Sequence, residues 1–204
     1  MADRLSAIAL GLAAGGRDGA AGGRAVKLTE LRGWHLTQLA AFAGRDAALA
    51  ECLRERLKLT SLPPPGVSLA VGPSLLFHTA PRQYWVVTSD AAIDAAWATV
   101  LAPSDGTATP LSHARVRLAL EGQSARTVLE KGISADLRPE SFRVGDFLQA
   151  GLHHTGILVH RAAESRYELY LPRSFAATLW EWLTDAARPT GYEVGQSIQE
   201  HHRA

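Results

Sequence analysis

The sequence predicts an α+β fold of two pseudo-symmetric halves, each a small, mainly antiparallel sheet covered by helices. Three observations predict it. Short runs of period two alternate with apolar stripes of period 3.6, as half-buried strands and amphipathic helices require. The same succession of elements recurs about 80 residues further along the chain. With 204 residues, 47% of them hydrophobic and 20% charged, there is apolar side chain enough for a packed core, which excludes disorder as the main state.

Residues 11–24 are mostly Gly and Ala with Arg17, Asp18 and Arg24, so packing gains little against a large loss of backbone entropy. Residues 1–33 are therefore read as a flexible Gly/Ala-rich extension. The first half, 34–108, opens with a strand at 36–42, a break at Gly44 and Asp46, and a helix at 47–58. Cys52 shares a helix face with Leu49, Leu53 and Leu57, the place of a small buried thiol. Pro63, Pro64 and Pro65 make a stiff loop before strands at 67–71 and 75–79. A stripe of Ile93, Trp97, Val100 and Leu101 closes this half, and residues 103–110 are read as the joint.

The second half, 109–187, repeats the order. Val116, Leu118 and Leu120 alternate along a strand, Gly122 and Ser124 break it, and a helix at 125–131 stops at Gly132. Strands follow at 145–149 and 156–160, then a polar turn and a strand carrying Tyr167, Leu169 and Leu171 before Pro172. Phe175, Leu179, Trp182, Leu183 and Ala186 form the stripe of the last helix. When the two copies are aligned, residues 74–79 correspond to 156–161, Tyr84 falls near Tyr167 and Trp97 falls on Leu179. Residues 188–204 are polar, end in His201, His202 and Arg203, and are read as a tail.

Charge balance, 21 Lys and Arg against 20 Asp and Glu, leaves no field to draw the chain to nucleic acid or an anionic membrane surface. A single cysteine excludes intramolecular disulfides and cysteine zinc sites and fits a reducing compartment. The apolar stretch at 5–14 is too weak for a signal peptide, and no run nears the roughly 18 apolar residues of a membrane span. A cytoplasmic location follows as the expectation.

No complete catalytic constellation emerges, so no catalytic, cofactor-binding or metal residue is assigned. His153 and His154 are adjacent and would face opposite sides of a strand, and His78, His113 and His160 add no spaced ligand set. Gly122, Gln123, Ser124, Ala125 and Arg126 fail as a nucleophile elbow at Arg126, so Ser124 is read as a helix cap, with Asp46 as its equivalent. The glycines at 15–23 follow no strand and carry no GKS or GKT, which removes dinucleotide and P-loop readings. With Trp182 in the core stripe, Trp180 points about 200° away, into a groove against the sheet edge or onto a partner surface. Trp180, Arg173, His153 and His154 are the candidate interface residues.

Pro110, Leu111, Ser112 and His113, leading to Arg117, Gly122, Ala125, Leu129, Lys131, Gly132, Asp136 and Leu137, carry a family likeness. It continues through 154–161 and is strongest in Tyr167, Leu169, Leu171, Pro172, Arg173, Ser174 and Phe175 and in Leu179, Trp180, Glu181, Trp182 and Leu183. On these residues the chain resembles the γ subunit of heterotetrameric sarcosine oxidase, across roughly 34–187 and densely after Pro110. That family is similar in turn to the folate-binding aminomethyltransferase architecture, so the resemblance implies ferredoxin-like, aminomethyltransferase-like halves.

The resemblance also implies α, β and δ partner subunits in a complex that demethylates sarcosine to glycine, yielding hydrogen peroxide and formaldehyde or methylenetetrahydrofolate. FAD and covalent FMN would belong to β and its interface with α, NAD and tetrahydrofolate to α, and zinc to δ, with no cofactor in this chain. Two alternatives stand beside it. One is a stand-alone folate-binding transferase, for which Asp136 and Asp146 are the candidate pterin carboxylates. The other is the matching subunit of a complex acting on another N-methyl amino acid, such as N-methylglutamate.

Overall fold

The computed structural model describes residues 6–9, 15–20 and 22–199. In chain order the strands and helices are β1 (Val26–Arg32), β2 (His35–Ala41), α1 (Asp46–Leu57), β3 (Ser68–Val71), β4 (Ser74–Ala80), β5 (Gln83–Thr88), α2 (Ala91–Trp97) and β6 (Gly106–Pro110). There follow β7 (Arg115–Glu121), α3 (Ala125–Glu130), β8 (Phe147–Leu152), β9 (Thr155–Ala163), β10 (Arg166–Pro172), α4 (Ala176–Ala187), β11 (Tyr192–Val194) and β12 (Ile198–Gln199). These elements form two compact units, one continuous over Gly33–Ser112 and one joining the described residues up to Arg32 with His113–Ile198.

The continuous unit has a five-stranded sheet in the order β3-β4-β5-β2-β6, antiparallel throughout. Leu49, Leu53 and Leu57 of α1 fall at i, i+4 and i+8 and pack with Leu39, Leu76, Tyr84, Val86 and Trp97 into its core. Lys58, in the left-handed region at φ 53°, ends α1 by donating its amide to the Arg54 and Glu55 carbonyls. α2 starts at Asp90, whose extended backbone lets its carboxylate accept from the Ala92 and Ile93 amides at 2.8 and 3.3 Å.

The discontinuous unit orders its strands β11-β1-β7-β10-β9-β8, with β12 also on β1. β1 and β11 run parallel, and the ladders β1–β7, β7–β10, β10–β9 and β9–β8 are antiparallel. Its core joins Val116, Leu118 and Leu120 to Tyr167, Leu169 and Leu171 and to Val128, Leu129, Leu179 and Leu183 from the helices. The run β8-β9-β10-β7-β1 repeats β3-β4-β5-β2-β6 strand for strand, with β1, from early in the chain, in the place that β6 takes in the other unit. Tyr84 and Tyr167 are each the second residue of their strand and buried, and Trp97 and Leu179 are both fully buried. The fold is α+β with two such halves.

Several details depart from the sequence reading. Val26–Arg32, placed in the flexible extension, is a strand between β7 and β11, with Val26 and Leu28 buried. The glycine-rich stretch is stitched to the polar tail. Arg17 and Tyr192 exchange two backbone hydrogen bonds of 2.7 Å, and Ala20 and Ala25 donate to the Pro189 and Thr190 carbonyls. A Cβ on Gly191, which sits at φ 73°, would lie 2.2 Å from the Gly23 carbonyl oxygen, so this crossing demands glycine. The stretch at 103–110 is no simple joint either, since β6 pairs with β2 and the units divide after Ser112.

Neither expected cap forms. Ser124 has ψ near 4°, already turned toward the helix, and its hydroxyl makes no cap bond. Asp46 is the first helical residue of α1 and lies 4.0 Å from Arg82. The last helix is rotated from the expected stripe: Ala176, Leu179, Trp180, Leu183 and Ala187 are the buried face, at i, i+3, i+4, i+7 and i+11. Phe175 stands half exposed before it. Trp182 is only partly buried, its ring lying beside Gly132 and Leu152.

Candidate functional site

Strand alternation gives the sheet of the discontinuous unit a second face, opposite its helices, on which Arg117, His160, Glu168 and Tyr170 are also buried. Glu168 is the centre of this face. Its Oε2 accepts from Arg117 Nη2 at 2.7 Å and Nε at 3.2 Å, and its Oε1 accepts from Arg166 Nη2 at 3.0 Å and Nε at 3.2 Å. Arg166 donates a third bond, 2.8 Å, to Glu121, and His160 Nδ1 lies 3.7 Å from Glu168 Oε2. The Arg117 guanidinium stands 5.5 Å from the centre of the Tyr170 ring.

Burial pushes the Glu168 carboxyl up, but Arg117, the contact with His160 and Arg166 outweigh it and hold the group well below the usual carboxylate range. Both oxygens are engaged by guanidinium forks, so the arrangement acts as a clamp across β7, β9 and β10 rather than an acid or base with an open position. Sequence reasoning assigns Arg117 no chemical role and does not single out Glu168. Its signal was the alternation of Arg166, Glu168 and Tyr170 against Tyr167, Leu169 and Leu171, which a solvated strand face would show equally.

The candidate interface residues separate. Trp180 is 4% exposed and belongs to the core, because its place at i+4 from Ala176 puts it on the buried stripe; it is removed from the interface set. His153 and His154 are exposed and form the two-residue loop between β8 and β9, at φ 45° and 64°. They are therefore not on a strand with opposed side chains, and their ring centres are 5.8 Å apart. Arg173 lies just past β10, its amide donating to the Ala114 carbonyl at 2.9 Å.

The two aspartates considered for a pterin are held locally. Asp136 accepts from the Arg138 backbone and guanidinium and from the Ser141 hydroxyl, and those bonds keep its carboxyl well below the usual range. Asp146 accepts from the Arg143 amide at 2.6 Å. A groove of about 380 Å³ lies between α1 and the end of α2, lined by Cys52, Glu55, Arg56, Ala96, Thr99 and Val100. Burial pushes the Cys52 thiol up, against the opposing charge of Arg56, and the thiol points to the Val100 carbonyl at 3.7 Å. Among the described residues no group of three or more His, Cys, Asp or Glu is placed to hold a metal ion, and no helix is long and apolar enough to cross a membrane.

The fold and its paired sheets define the class: the chain belongs to the GCVT N-terminal domain family, whose model matches residues 71–204. Within that class it resembles a particular protein, the sarcosine oxidase subunit gamma of Corynebacterium sp. (strain U-96), to which it is 34% identical over 86 residues. That match spans 42% of this chain and 42% of the relative. A chain of the heterotetrameric sarcosine oxidase from Corynebacterium sp. U-96, solved in complex with pyrrole 2-carboxylate, superposes with a TM-score of 0.71 at 28% identity, covering 83% of this chain and 87% of that one. The glycine cleavage system aminomethyltransferase T of Bartonella henselae shares the fold, with a TM-score of 0.61 at 19% identity over 85% of this chain and 48% of its own.

Proposed function

We propose that the chain is the γ subunit of a heterotetrameric sarcosine oxidase and that its role is to stabilise the assembly. The observation that carries this is the match over 83% of this chain and 87% of a chain from such an oxidase. In this reading α, β and δ subunits perform the oxidative demethylation of sarcosine to glycine, with hydrogen peroxide and formaldehyde or methylenetetrahydrofolate as the other products. FAD, FMN, NAD, tetrahydrofolate and zinc sit in those partners, and the complex works in the cytoplasm. The Glu168 clamp supports a structural role, since it spends both carboxylate oxygens on holding strands.

The test is co-expression with α, β and δ. The purified complex should be yellow and produce peroxide with sarcosine, whereas this chain alone should be colourless and inactive. Stoichiometric flavin in the lone chain would defeat the reading. Membership of the GCVT family favours, second, a stand-alone folate-binding transferase. Millimolar tetrahydrofolate should then raise the unfolding temperature of the isolated chain. No shift is the result expected from the subunit reading.

A further inference from the structure

Two stretches from opposite ends of the chain meet in the discontinuous unit, and they meet backbone against backbone. Arg17 and Tyr192 each donate to the other's carbonyl at 2.7 Å, and Ala20 and Ala25 donate to the Pro189 and Thr190 carbonyls, both at 3.2 Å. Further on, β11 runs parallel to β1 over Val26–Leu28. The Gly195 amide then donates to the Leu28 carbonyl at 2.8 Å, the Ser197 hydroxyl donates to the Glu30 carboxylate at 3.2 Å, and β12 pairs with β1.

Four glycines lie where the two stretches touch. An added Cβ would stand 2.5 Å from the Tyr192 carbonyl oxygen at Gly16, 2.5 Å from the Thr190 carbonyl carbon at Gly19, 2.2 Å from the Gly23 carbonyl oxygen at Gly191 and 2.3 Å from Thr29 Oγ1 at Gly195. Neither stretch could come this close with side chains at those positions. Side-chain packing does little to hold either of them. No described residue from 15 to 25 is buried, and of residues 188–197 only Gly191 and Gly195 are.

We propose that these two stretches form a clasp that opens and closes as one cooperative unit while the rest of the discontinuous unit stays folded. Each stretch has mainly the other's backbone to hold it, so losing one set of bonds returns conformational entropy to both and removes the partner of the next set. An open clasp leaves the edge of β1 that β11 and β12 cover open to solvent, with β7 still paired on the other side. This holds whether or not the chain belongs to an oxidase complex.

Native-state hydrogen exchange of the full chain is the test, because a protected amide exchanges through the opening that frees it. Gly16→Ala drives a methyl group into the Tyr192 carbonyl, and Gly195→Ala drives one into Thr29. Each should speed exchange at the far end by about tenfold: Gly16→Ala at the Gly195 amide, and Gly195→Ala at the Arg17, Ala20 and Ala25 amides. The amides of Val159 in β9 and Leu169 in β10 should keep the parent rates. A second measurement needs no weakened fold. A disulfide made by Arg17→Cys with Tyr192→Cys, which face each other across the clasp, should slow exchange at Ala20, Ala25 and Gly195 together, and its reduction should reverse this. Faster exchange confined to the altered end, or a disulfide that protects only the residues beside it, would show two independent segments and overturn the proposal. Faster exchange at Val159 and Leu169 to the same degree would overturn it too, since the ends would then open only with the whole unit.

Discussion

Glu168 shows how much one buried carboxylate can be asked to hold. Removing its charge takes away the carboxylate that Arg117 and Arg166 share, and breaking a buried pair from one side costs about 3–5 kcal/mol. Glu168→Gln should lower stability at pH 7 by that order, read as a fall in the urea midpoint. The sign of its pH dependence follows from the depressed folded value: the stabilisation is present above the ordinary glutamate value of about 4.3 and is lost as pH falls from there toward the folded value. The parent should therefore lose more stability between pH 7 and pH 3 than Glu168→Gln does. Equal losses would show that the clamp contributes nothing. At this scale the sequence was least informative, because a charged residue at every second strand position looks the same whether it faces water or is buried with a guanidinium partner.

Among the elements, α4 was legible as a helix but not in its rotation. The expected stripe counted Phe175 as helical, although the helix begins one residue later, and that shift moved Trp180 off the buried side. Trp180→Ala should cost about 3–5 kcal/mol as a core truncation, and Trp182→Ala distinctly less, since Trp182 is only partly buried. Chemical denaturation of both variants decides, and the opposite order would restore the first assignment. Caps follow the same lesson. Asp90→Ala should destabilise by about 1 kcal/mol, while Ser124→Ala, whose hydroxyl makes no cap bond, should be close to neutral. Serine after a strand is a good cap candidate by composition, but only the backbone angle decides whether its hydroxyl reaches an amide.

For the molecule as a whole, the repeated order of strand, helix, two or three strands and helix was readable, because hydrophobic period and turn residues are local signals. What was not readable was β1. Val26, Leu28 and Leu31 follow a glycine-rich stretch, and nothing local says that the partner of this strand is β7, far along the chain. Deleting 1–33, harmless if these residues were a loose extension, should strip the discontinuous unit of a strand between β7 and β11. Hydrogen exchange should then show lost amide protection in β7, β10 and β11, and an unchanged exchange pattern would contradict the pairing. Gly191→Ala should act in the same direction by driving a methyl group into the Gly23 carbonyl.

The place of β1 also sets an order of events during synthesis. All the strands of the continuous unit leave the ribosome in one uninterrupted run, so that sheet can close as it is made. β1 is translated before any of them, yet must wait, unpaired, until β7 emerges after the first sheet is complete. The nascent chain thus carries an apolar strand past a finished neighbour before it finds its own place. Lys27, Thr29, Glu30 and Arg32 stand among its apolar residues, and polar and charged positions of this kind work against the pairing of an unpaired strand with another copy of itself.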